Sequence, residues 1–144
     1  KKQADFVIQN TTAELLAGGK KQEIHATYKN IGEDPVRDAV ARLSIFKPFS
    51  STDDQAFIGN LDPGNETTVL FRMDVDSDAT AKDYGISSEI KYTDVNGDTV
   101  ISETMKIPLR VEPAARSLLL HAALALIILI AVGGYIYKKR QKKV

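Results

Sequence analysis

The chain alternates apolar and polar positions through most of its first 111 residues. In QEIHATYKN, Ile24, Ala26 and Tyr28 share one face, while Glu23, His25 and Thr27 share the other. DAVARLSIF repeats the pattern with Ala39, Ala41, Leu43 and Ile45, and TTVLFRMDV with Val69, Phe71, Met73 and Val75. YGISSEIKY places Tyr84, Ile86, Ser88, Ile90 and Tyr92 together. ISETMKIPLRV does the same with Ile101, Met105, Ile107, Leu109 and Val111, with Glu103 as the exception. The shorter runs ADFVIQ and AFIGNL add two more segments, and Gly18-Gly19, Asn30–Pro35 and Asp62–Asn65 punctuate as turns. A period of two over short, β-branched and aromatic segments predicts strands, about seven of them. Before Ser117 no helical period is sustained, although Thr11–Lys20 is long enough for one helical turn. Seven such strands predict an all-β immunoglobulin-like sandwich over residues 1–111. Pro108 donates no ladder hydrogen bond, so its strand should be an edge or carry a bulge.

The pattern changes at Ser117. From Ser117 to Tyr137 no residue carries a formal charge, and Leu, Ile or Val occupies most positions. These 21 residues would form a helix about 32 Å long, enough to cross a hydrocarbon core of about 30 Å. Tyr135 and Tyr137 suit one interface, and Lys138, Lys139, Arg140, Lys142 and Lys143 follow as a basic tail. The expected organisation is therefore a sandwich at 1–111, a short linker at 112–116, a transmembrane helix at 117–137 and a cytoplasmic tail at 138–144. Cations remain on the cytoplasmic side, so residues 1–116 are expected outside the cell, in a single-pass cell-membrane protein. A body of that size needs an export signal, and none is legible from Lys1. The chain is accordingly expected to be a mature form or the C-terminal piece of a longer precursor.

Charge and composition narrow the function. Up to Arg116 there are 14 basic and 19 acidic residues, a balance of −5. An acidic body without a basic stripe argues against nucleic acid. There is no cysteine, which excludes thiol chemistry and points to a prokaryotic surface rather than an animal-type ectodomain built on disulfides. Asn10-Thr11-Thr12 and Asn65-Glu66-Thr67 are N-glycan acceptor sequences, so Asn10 and Asn65 are glycosylation candidates.

The order of several short motifs resembles a known module. KNIG (Lys29–Gly32), Pro48-Phe49, IGNLDPG (Ile58–Gly64), the Asp76–Gly85 segment and the Tyr92–Asp98 hairpin resemble the Ig-like, S-layer-domain-like module of archaeal surface proteins. That module is related to CARDB-type adhesion modules and to Ig-like domains appended to some bacterial glycosidases. The resemblance covers roughly residues 4–111. It implies export, a single C-terminal membrane helix, and a binding or scaffolding role without catalytic residues.

Candidate chemistry is sparse. Asn96-Gly97 lies between two alternating segments and suits a tight hairpin, with Asp94 and Asp98 flanking it. An EF-hand would require a twelve-residue loop, a closing Glu and flanking helices. Asp74, Asp76 and Asp78 recur at every second position, which fits a solvated outer face running into a loop. The alternative is a low-affinity Ca2+ site drawing on Asp76 and Asp78 with Asp83 or Asp94. Otherwise no metal or cofactor is expected. His25 falls on a polar strand face, and His121 lies near the outer end of the apolar segment, where it is expected to reach the interface or a partner helix. With no recognisable Ser–His–Asp spacing, no enzyme and no small-molecule substrate are expected. The expected role is structural, adhesive or protein-binding, with membrane lipid and another surface or membrane protein as partners. The alternative is an accessory single-helix subunit of a membrane complex such as an exporter, with Ala122, Ala123, Ala125 and Ala131–Tyr135 admitting a close helix.

Overall fold

The structure is a computed structural model that describes residues 3–143; Lys1, Lys2 and Val144 lie outside the described residues. The first compact unit, Lys1–Glu112, is an immunoglobulin-like sandwich of ten strands. These are β1 (Phe6–Ala13), β2 (Leu15–Leu16), β3 (Gln22–Asn30), β4 (Val36–Ser44), β5 (Phe49–Asp53), β6 (Gln55–Leu61), β7 (Glu66–Val75), β8 (Asp83–Thr93), β9 (Thr99–Ile101) and β10 (Met105–Glu112). One sheet runs β1-β3-β7-β5 and the other β2-β10-β8-β4-β6, with β9 paired to β8.

The expected count of seven is corrected to ten, and each addition has a local cause. The region considered for a helical turn instead continues β1 to Ala13 and then forms β2, which pairs in parallel with Val111 and Glu112. β5 (FSSTD) has no apolar alternation, because it is a sheet edge pairing only with β7. The last predicted strand divides. Val100 pairs with inward-facing Tyr92, which turns Ile101 outward to 52% exposure. Residues 102–104 leave the ladder, and β10 re-enters with Met105 opposite Ser88. That interruption shifts the phase by one residue, so Ile101 and Ile107 cannot share a face.

Elsewhere the alternation is the core. Ile24, Ala26, Tyr28, Val69, Phe71 and Met73 from one sheet meet Ala39, Ala41, Ile86, Ile90, Ile107 and Leu109 from the other, all buried. Pro108 faces Gly85 on one side only, since β2 reaches no further than Val111, so the missing donor falls on an unpaired edge.

The second unit, Pro113–Val144, is one helix, α1 (Ala115–Gln141). It begins before Ser117 and continues through Lys138, Lys139 and Arg140, which occupy its last turn. Lys and Arg are good helix formers, and backbone hydrogen bonding does not stop at the end of an apolar run. Leu120–Gln141 is long and apolar enough to cross a membrane, and none of it is buried within the chain.

Candidate functional site

At one end of the sandwich the KNIG segment organises three loops. Asn30 is fully buried. Its Nδ2 donates to the carbonyls of Asp34 (2.9 Å) and Leu61 (3.1 Å), and its Oδ1 accepts from the Gly32 N–H (3.0 Å). Its backbone N–H donates to Asn65 O, and its carbonyl accepts from the Gly64 N–H. One side chain thus fixes the β3–β4 loop against the β6–β7 turn. Gly32 lies where the N-terminal segment passes, and a Cβ there would collide with the Gln3 carbonyl and the Asp5 nitrogen. The resemblance motifs KNIG and DPG therefore meet in space through Asn30.

Inside the sandwich, the Tyr28 hydroxyl lies 2.6 Å from Ser88 Oγ, which donates to the Arg42 carbonyl (3.0 Å). Burial pushes the Tyr28 phenol up from 10.0 to about 12, partly offset by the bond to Ser88. Tyr92 is also raised, by burial and then by the Asp94 and Asp5 carboxylates. For Tyr28, the folded state holds its proton above the pH at which the unfolded chain releases it. The stabilisation is therefore complete below pH 10 and is lost as pH rises toward about 12. The loss should be on the order of 2–3 kcal/mol. Alkaline melts of wild type and Tyr28→Phe should show a steeper decline for wild type; parallel curves would contradict a buried phenol.

The acidic candidates serve the fold in different places. Asp94 Oδ1 accepts from the N–H groups of Asn96 and Asp98, both at 2.9 Å. Within that hairpin only Gly97 takes positive φ (+83), so Asp94–Asp98 forms a type I turn closed by a left-handed glycine. Asp74 accepts from the Lys21 N–H at 2.7 Å. Strand β7 ends at Val75, so the outer face that carries Asp74 runs into a loop that holds Asp76 and Asp78. Asp83 pairs with Arg110 at 3.1 Å. Among the described residues, no group of three or more His, Asp or Glu is placed to hold a metal ion. Calcium at ten millimolar should leave the melting temperature where matched magnesium leaves it. A site with a Kd near 10⁻⁴ M would instead add about 2.7 kcal/mol.

Asn10 and Asn65 are both exposed, Asn10 at a register shift of β1 and Asn65 in the β6–β7 turn. His25 lies 3.5 Å from Glu23 on the outer face of β3. An open cleft of about 470 Å³ is lined by Lys21, Ser50, Ser51, Asp53, Arg72 and Asp74. Its charges compensate one another, Arg72 with Asp53 and Glu23, and Asp74 with Lys20. Tyr135 and Tyr137 are exposed on α1 beside the basic turn. Lys142 and Lys143 follow the end of the helix.

No family model matches the chain. The sequence is 37% identical over 84 residues to the uncharacterized protein MJ1561 of Methanocaldococcus jannaschii. That match covers 56% of this chain and only 15% of the relative's length. The fold is similar to native alpha-2-macroglobulin from Escherichia coli at a TM-score of 0.55 and 16% identity, over 78% of this chain and 17% of that one. It also aligns with the CARDB domain of the PF1109 protein from Pyrococcus furiosus at a TM-score of 0.49 and 15% identity, over 79% of this chain and 97% of that one. At such identities the alpha-2-macroglobulin likeness shows a shared fold alone.

Proposed function

We propose that the chain is a membrane-anchored Ig-like module at a prokaryotic, archaeal-type cell surface, acting by holding or binding another surface protein and not by catalysis. The observation that carries the reading is the union of a self-contained sandwich with a helix whose apolar span, Leu120–Gln141, is unburied and ends in a basic turn. An apolar surface of that length has no stable place in water, and its cations fit the cytoplasmic side. On this reading residues 1–116 lie outside and Lys138–Lys143 inside, with Tyr135 and Tyr137 at the inner interface. Export would also expose Asn10 and Asn65 to glycan transfer.

Protease added to intact cells should digest the sandwich and spare a C-terminal tag, and Asn→Gln at positions 10 and 65 should lower the apparent mass. Protection of the sandwich would remove the exported reading. A second reading, a single-helix subunit of a complex such as an exporter, is favoured by Gly133 and Gly134, beside which α1 has open space. Copurification of a polytopic protein in mild detergent would select it over a simple tether.

A further inference from the structure

Four segments are tied together at the end of the sandwich where β10 finishes. The Gly18 N–H donates to the carbonyls of Val75 and Asp76, and the Asp76 N–H donates to Pro48 O (2.9 Å). The Ala17 N–H donates to Glu112 O (3.1 Å), and the Val111 N–H to Lys82 O (3.0 Å). These bonds join the β2–β3 loop, the β4–β5 turn, the β7–β8 loop and the end of β10 into one surface.

That surface carries exposed Lys20, Lys21, Lys47 and Lys82. It also shows two apolar side chains, Phe46 at 48% exposure and Leu16 at 37%. Phe46 is held in place. Its ring meets Phe49 edge-on at 6.4 Å, Phe49 meets Tyr84 at 5.0 Å, and Lys82 Nζ stands 4.9 Å from the Tyr84 ring centre. Most carboxylates at this end already have cationic or N–H partners: Asp74 with Lys20 and the Lys21 N–H, and Asp83 and Glu112 with Arg110. Asp76 and Asp78 belong to the same surface, on its β7–β8 loop. At the opposite end the loops around Asn30 carry Glu33, Asp34, Asp62, Asp94 and Asp98, opposed by few cations. The Phe46 end is thus close to charge balance, and the acidic excess lies at the opposite end.

We propose that the Phe46 end is a membrane-contact surface, with Phe46 seated at the headgroup boundary and the lysines on anionic lipid phosphates. This rests on the membrane-anchored reading above. Connectivity supplies the occupant: the chain leaves the sandwich at Glu112, and only Pro113 and Ala114 precede α1. That is on the order of 10 Å of chain, with about 8 Å more along α1 before the apolar span opens at Leu120, so the tether between this end and the membrane is short. Lysine stems lie along apolar surface while their ammonium groups reach phosphate, and an aromatic ring between them adds buried area. The acidic opposite end is repelled by the same anionic surface, which favours the same posture.

The chain contains no tryptophan, so Phe46→Trp gives a single reporter in the full-length protein. It should be placed in nanodiscs of mixed phosphatidylglycerol and phosphatidylcholine, with bromines shallow on the acyl chains. The expected result is blue-shifted, quenched emission from Phe46→Trp. Phe57→Trp, at a 71% exposed position on edge strand β6, should remain red and unquenched. Adding Lys47→Ala and Lys82→Ala should weaken the apposition on the order of 30-fold, at about 1 kcal/mol per lysine. High salt should act in the same direction. Equal, solvent-like emission from the two reporters, in chains retained by the nanodiscs, would overturn the contact and leave the anchor standing. A blue shift without bromolipid quenching would assign the surface to a protein neighbour and also overturn it. Failure of the chain to remain with the nanodiscs would remove the anchored reading and the contact together.

Discussion

Phe71→Ala should cost about 3–5 kcal/mol of folding free energy, and Ile90→Ala about 2–5 kcal/mol. Both side chains are fully buried, on opposite sheets. Phe71 lies on β7, which has β3 on one side and β5 on the other, opposite Ile24 in register. Ile90 lies on β8 opposite Ala41. A domain of this size holds roughly 5–15 kcal/mol in total. It has no disulfide to limit the unfolded state, so either substitution removes a large share. Urea unfolding of the full chain in mild detergent would measure it. Near-neutral results at both positions would mean the inner and outer faces are exchanged, since a one-residue slip moves every side chain across the sheet.

Asn30→Ala should cost about 2–4 kcal/mol, which is large for a loop-end polar residue. The substitution strands the buried Leu61 carbonyl and removes the part-buried bonds to the Asp34 carbonyl and the Gly32 N–H. Removing one partner from a buried hydrogen bond costs more than the bond itself contributes. Asn30→Asp separates this mechanism from packing. It keeps the volume but turns both Nδ2 donor contacts into oxygen against oxygen, so it should be at least as damaging near pH 7. It should recover in part at acid pH, where a protonated carboxyl donates again. Amide exchange should accelerate at Gly64 and Asn65 in both variants. A cost below about 1 kcal/mol for Asn30→Ala would mean the backbone bonds hold the two loops without the side chain.

Neither substitution is equally visible in the sequence. Phe71 and Ile90 announce themselves, because burial on one face of a pleated strand repeats every second residue and needs only local sequence. Asn30 looks like an ordinary turn residue. Its value depends on the Leu61 carbonyl, 31 positions away. The Tyr28–Ser88 bond spans 60 positions and is equally silent. The aspartates show the limit of period alone: Asp74, Asp76 and Asp78 recur at every second position, and the place where the outer face gives way to loop, between the first two, is not legible from the spacing.

By itself, the sequence determined the sandwich class, the inward faces of the long strands, a gap in the ladder at Pro108 and the apolar helix. All of these follow from short-range period, side-chain polarity or a missing N–H. Only the tertiary structure decided the other features. β2 and β5 exist because distant strands offer them backbone partners, and neither has an apolar period of its own. The break at 102–104 reverses the phase of Ile101, which no count along the chain could show. The gathering of Lys20, Lys47, Lys82 and Phe46 at one end arises from three separate connections brought together by register. Register is a relation between strands, set by hydrogen bonds and packing across the sheet, and a single strand's alternation is compatible with many registers.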